Sequence, residues 1–168
     1  MLFPRRWESH LNKTEKTEKI MATKVNVTRN DYKVFYPITT RWMDNDIYGH
    51  VNNVTYYSYF DTAANNFLIN HCGLDIHNSH IIGFVVSSGC EYLAPIAFPD
   101  KIEVGVRIDR LGNSSCQYGI GIFTEKEEQA CAFGHFIHVF VDRVSNKPVQ
   151  IPDDMRKNMK KIEVTLSS

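Results

Sequence analysis

Apolar and polar positions change rhythm along the chain. Residues 33–42, KVFYPITTRW, crowd β-branched and aromatic side chains together, which predicts a first strand. Pro37 inside it favours a sheet edge or a bulge. From about 53 to 72 apolar side chains recur at Tyr56, Phe60, Ala63, Ala64, Phe67 and Leu68. Steps of three and four residues predict a helix buried over much of its surface. Asn52 or Asn53 suits its N-cap, and Gly73 suits the C′ position. Beyond a polar link the period drops towards two. The stretch 81–96 reads as a long strand with Gly and Pro interruptions, which predict bulging or bending. KIEVGVRIDRL (101–111) and SSCQYGIGIF (114–123) alternate well around Gly112-Asn113, a hairpin signal. After a turn at 126–128, QACAFGHFIHVFVDR (129–143) reads as a last long strand, and 153–164 as a short terminal helix.

The predicted order is therefore β-α-β-β-β-β with a short C-terminal helix. A helix apolar on most faces needs a cover, and a five-stranded antiparallel sheet curled around it supplies one. This α+β arrangement is the hotdog fold. Residues 31–168 are assigned to that domain. Residues 1–30 are read as a poorly ordered extension, with 1–20 either genuinely disordered or the product of an upstream start. Their opening run has no apolar segment of the signal-peptide kind, and its glutamates disfavour a transit peptide.

Composition narrows the function classes. The 168 residues are 43% hydrophobic and 23% charged, as in an ordinary one-domain globular protein. Nineteen basic residues balance nineteen acidic ones, so no net field favours nucleic acid or anionic lipid. No apolar run approaches the ~20 residues of a membrane-spanning helix. Cys72, Cys90, Cys116 and Cys131 form neither a CxxC pair nor a disulfide framework. Free thiols in a reducing cytoplasm are the simplest reading. His71, Cys72, His77 and His80 lie close together without a familiar ligand spacing, and no metal site is expected. His135 and His138, three apart on a strand, face opposite sides.

The chemistry concentrates in WMDNDIYGHVNN (42–53), directly before the apolar helix. An aspartate between a strand and a helix is often only a turn or cap residue. Here two acids, a glycine, a histidine and two asparagines share one short segment. A carboxylate there has its ionised form favoured by the helix dipole. The unpaired amides of the first helical turn, around Val51, Asn52 and Asn53, are candidate donors to an oxygen that gains charge. Gly49 allows close backbone approach to a substrate.

RWMDNDIYGHVNNVTYYSYFDTA (41–63) resembles the signature of the 4-hydroxybenzoyl-CoA thioesterase-like branch of the hotdog superfamily. Looser matches follow in VRIDRLGNSS and HVFVDRVSNKPVQIPDDMR, so the resemblance spans about 34–155. It implies an acyl-CoA thioesterase in which Asp46, rather than Asp44, is the catalytic carboxylate, as nucleophile or as general base on water. The segment is also similar to plant acyl-ACP thioesterases, where an Asn and a His follow the Asp. His50 matches that His, while Tyr48 stands in the place of the Asn. Asp61 matches an acidic helix position of the family.

A CoA thioester also needs groups for its phosphates. Arg107, Arg110, Arg143, Ser114 and Ser115 lie at predicted strand ends and turns and are the expected binding groups. The resemblance further implies a homodimer or homotetramer, with these groups serving a neighbouring protomer's Asp46. No cofactor is expected, CoA being part of the substrate. Two other activities fit the fold: an acyl-thioester hydratase or dehydratase, and a non-catalytic acyl-CoA-binding protein.

Overall fold

A computed structural model describes residues 25–164. β1 (Val34–Thr39) leads through a loop into helix α1 (Asn53–Cys72), and four strands follow: β2 (Ile81–Tyr92), β3 (Lys101–Leu111), β4 (Ser115–Thr124) and β5 (Ala132–Asp142). Helix α2 (Asp153–Lys160) closes the chain. The strands form one antiparallel sheet in the order β1-β3-β4-β5-β2. This is the hotdog arrangement expected from the hydrophobic pattern. Residues 1–24 of the expected extension lie outside the described residues. Residues 25–30 do not behave as a loose tail: Thr28 bridges to Gln129, and Arg29 pairs with Glu103 at 2.6 Å.

Local chemistry explains each boundary. Pro37 lacks an N–H and sits on β1, an edge strand paired only with β3. Asn52 caps α1, its Oδ1 accepting the Val54 N–H at 3.1 Å. Gly73 ends the helix in the left-handed region at φ 72°. β2 carries a register shift between Val85 and Ser87, the expected bulge. The Gly112–Ser115 turn closes with Gly112 N–H donating to Ser115 O at 2.8 Å. The last strand starts at Ala132 rather than 129, and Gln129 is bridged instead to Thr28.

The two sheet faces do different work. Ile102, Val104, Val106 and Ile108 of β3 pack with Phe60, Ala63, Ala64, Phe67 and Leu68 of α1 in the main core. Burial of this apolar area is the dominant favourable term. On the other face Tyr32, Phe123 and Ala130 form a second cluster. Tyr32 fits there because Gly105 and Gly121 have no side chain; a Cβ on either would stand 2.7 Å from its ring. His135 and His138 lie on opposite faces as expected, with His138 in the interior. α1 is not covered all round: Val54, Ser58, Asp61, Thr62 and Ile69 are exposed.

Candidate active site

The loop 45–51, between β1 and α1, is held by its own backbone and by the 93–100 connection. Asp46 N–H donates to His50 O at 2.8 Å, Gly49 N–H donates to Asp46 O at 3.0 Å, and Asn45 bridges Val51. Gly49 has φ 82°, and a Cβ there would meet nothing within 4 Å. Its requirement is therefore conformational, not steric. Val51 N–H donates to Ile96 O at 2.7 Å, and Phe98 N–H donates to Asn45 Oδ1 at 3.0 Å.

The two acids part company here. Asp44 is 2% exposed and its carboxylate is fully engaged. Oδ2 accepts from Arg41 N–H at 2.8 Å and from the Tyr59 hydroxyl at 2.7 Å. Oδ1 accepts from Arg41 Nε at 3.0 Å and Nη2 at 2.8 Å. Burial pushes this carboxyl up, but the hydrogen bonds from Arg41 and Tyr59 and the guanidinium charge outweigh it and hold it below the usual range. Burial, then the bond to Asp44, pushes the Tyr59 hydroxyl well up. Asp46, by contrast, is half-buried at the loop surface, its Oδ1 accepting only the Tyr48 N–H at 2.8 Å. Of the two, Asp46 is the one that keeps a carboxylate oxygen, Oδ2, outside these hydrogen bonds among the described residues.

The expected oxyanion donors need correction. Val51 N–H is committed to Ile96 O, and Asn52 N–H to Asp44 O at 2.8 Å. Among the described residues this leaves the Asn53 amide as the donor of that turn with no protein acceptor, while Asn53 O accepts from the Tyr92 hydroxyl at 3.1 Å. His50 is half-buried on the same loop. Tyr48 is 83% exposed, and Trp42, Met43, Ile47 and Val54 are exposed as well.

Other expected groups are not brought to Asp46 within one chain. Arg107 lies on the sheet face away from α1, bound to Asp109 at 2.7 Å, to Asp31 O at 3.4 Å, and over the Tyr32 ring at 5.1 Å. There it holds the 29–32 segment to the sheet. Arg110, Ser114 and Ser115 lie at the far end of β3 and β4, about 30 Å of strand from the end where β1 meets Lys101. Arg143 is at that far end too, donating to His77 O at 3.2 Å and Ile76 O at 2.8 Å. Asp61 is exposed, accepting from Asn65 at 3.2 Å.

Sequence reasoning missed Arg41 and Tyr59, which hold Asp44. The signal was there for Tyr59, one helical step from Tyr56 and Ala63 but with a polar end that needs a partner when buried. Among the described residues no group of three His, Cys, Asp or Glu side chains could hold a metal. No helix there is long and apolar enough to cross a membrane.

Known proteins share this architecture. The PA5185 protein of Pseudomonas aeruginosa is 54% identical, with a TM-score of 0.82, over 84% of this chain and 99% of its own. A thioesterase from Thermus thermophilus, complexed with coenzyme A and zinc, is 27% identical with a TM-score of 0.66, over 77% of this chain and 98% of its own. The long-chain acyl-CoA thioesterase FadM of Escherichia coli is 25% identical over 118 residues, 70% of this chain and 89% of its own. Residues 40–159, from the end of β1 to α2, match the family model of these hotdog proteins, and the chain belongs to the thioesterase-like superfamily.

Proposed function

We propose that this protein hydrolyses an acyl-CoA thioester to the free acid and CoA, with Asp46 as the reacting carboxylate. The observation that carries the reading is the division of labour between the two acids: Asp44 has no oxygen to spare, while Asp46 is half-buried beside the N-terminus of α1. Asp46 acts either as nucleophile on the carbonyl carbon or as general base on water. In both routes the C–S bond breaks and the CoA thiolate takes up a proton; in the nucleophilic route the resulting mixed anhydride is then cleaved by water, which releases the free acid and restores Asp46. The Asn53 amide is suited to the carbonyl oxygen as it gains charge, and His50 to orienting water. The CoA-bound Thermus relative supports CoA as the carrier.

The working form is a dimer or a tetramer. Strand β2 is an edge with Phe84, Val85 and Val86 exposed, which favours pairing with a second copy. A partner would also bring cationic groups from the far sheet end towards Asp46, as Arg110, Ser114, Ser115 and Arg143 cannot arrive there from the same chain.

Free-thiol release from a panel of acyl-CoAs tests the reading, comparing wild type with Asp46→Asn. Turnover by wild type and a loss of ~100-fold or more in the variant are expected. Binding of acyl-CoA without thiol release by either protein would replace hydrolysis with a binding role or another reaction.

A further inference from the structure

Asp44 is the one carboxylate in the interior among the described residues. Removing a carboxylate from water is costly, and a buried ion pair is often no more stabilising than an apolar replacement. What such a group supplies here is direction. Its carboxylate reaches back to Arg41, before the loop, and across to Tyr59, in the second turn of α1. Its carbonyl accepts the Asn52 N–H at 2.8 Å, just after the loop. One residue thus ties both ends of the 45–51 segment to the helix.

The segment so closed carries Asp46 and His50. The Asn53 amide follows directly on the tethered Asn52. A carboxylate and an oxyanion donor work together only when both are at the right distance from one carbonyl group, and a misplacement of about 1 Å can reduce turnover ~100-fold. Their relative position depends on the angle between loop and helix, which the Tyr59 hydroxyl and the Asn52 amide fix at opposite sides of Asp44.

We propose that Asp44, with Arg41 and Tyr59, is a positioning latch that sets where Asp46 stands relative to the α1 N-terminus, acting on turnover without touching substrate. The proposal rests on Asp46 being the reacting group, as proposed above. The latch acts through the loop, so its loss affects the transition state more than ground-state binding.

Tyr59→Phe is the sharpest test, since it keeps the ring and removes the single hydroxyl. The expected result is a fall in kcat of ~10-fold or more, with KM within about twofold. Asp44→Asn, which turns an acceptor towards the Arg41 donors into an NH2 group, should fall further; if it does not fold, Tyr59→Phe carries the test. Amide hydrogen exchange provides a readout independent of turnover. The Tyr48 and Asn52 amides should exchange faster in Tyr59→Phe, while those of Phe67 and Leu68 in the middle of α1 keep wild-type protection. An unchanged kcat in an active enzyme overturns the latch. So does a raised KM at unchanged kcat, or faster exchange spread evenly over the chain. If wild type releases no thiol from any acyl-CoA, hydrolysis is refuted separately. Exchange then decides: protection lost only at residues 46–52 supports the latch, and unchanged exchange there overturns it.

Discussion

His138 should make this fold acid-labile. It sits on the inner face of β5, 2% exposed, with the Tyr118 ring edge-on at 5.0 Å and Phe136 and Phe140 beside it. Among the described residues neither ring nitrogen has a hydrogen-bond partner. Burial disfavours the imidazolium and pushes its pKa from the ordinary 6.5 down to about 4. The unfolded chain therefore binds this proton near 6.5 and the folded chain only near 4. The contribution is fully present above the unfolded value and is lost as pH falls through the interval between them.

The gap of about 2.5 units, at 1.36 kcal/mol per unit, corresponds to about 3 kcal/mol once pH is below both values. At about pH 5, where the unfolded His is protonated and the folded one is still mostly neutral, the loss is about 2 kcal/mol, or roughly 4–8 °C in Tm. Urea titrations at about pH 7.5 and 5, on wild type and His138→Leu, isolate it. Contributions from the other ionisable groups cancel in the difference. Wild type should lose about 2 kcal/mol more than the variant between the two pH values. Parallel losses in both proteins would show that His138 is not held neutral by burial, and would refute the reasoning.

Three further perturbations probe the backbone and the buried acid. A Cβ at Gly134 would collide with Gly89 O and lie 2.8 Å from Phe60. Gly134→Ala must therefore push β5 from β2 and is expected to cost more than about 3 kcal/mol in urea unfolding. Gly49→Ala meets no atom but strains a φ of 82°, and about 1 kcal/mol is expected. Asp44→Ala leaves the Arg41 amide and the Tyr59 hydroxyl without their acceptor; about 2 kcal/mol should be lost near neutral pH, Arg41 being 62% exposed and its charge partly solvated. Because the folded Asp44 carboxyl is held below the ordinary value, its contribution persists at neutral pH and is lost only as pH falls below the usual carboxylate range. A stability profile of wild type against Asp44→Ala should converge there.

The fold was legible because its signals are local and repeated. The three- and four-residue steps of α1 and the two-residue alternation of β3 and β4 each state their own period, and Pro37 marked its strand as an edge. The polar cluster at 42–53 stood out for a similar reason, interrupting two apolar elements, while the choice of Asp46 within it came from the family resemblance. What sequence could not carry was the allocation of donors and acceptors. Val51 and Asn52 look like open amides at a helix start, yet one is used by Ile96, far along the chain, and the other by Asp44. Arg107 looks like a strand-end cation, but on folding it meets Asp109 and the Tyr32 ring on the outer face. These outcomes depend on which atoms meet in space, and residue spacing does not encode that.

The concentration of polar groups before an apolar helix follows from the same competition. The loop that carries Asp46 cannot be stiffened by a core of its own, since Trp42, Met43, Ile47 and Tyr48 all remain at the surface. It is stiffened by hydrogen bonds instead, and each bond uses up a group that could otherwise react. Asp44, Asn45, Val51 and Asn52 are withdrawn in this way. Among the described residues, the Asp46 Oδ2 and the Asn53 amide are left outside these bonds. In the mechanism proposed above, the site is defined as much by the groups taken into structure as by those left outside it, and Asp44 serves that mechanism by position rather than by reaction.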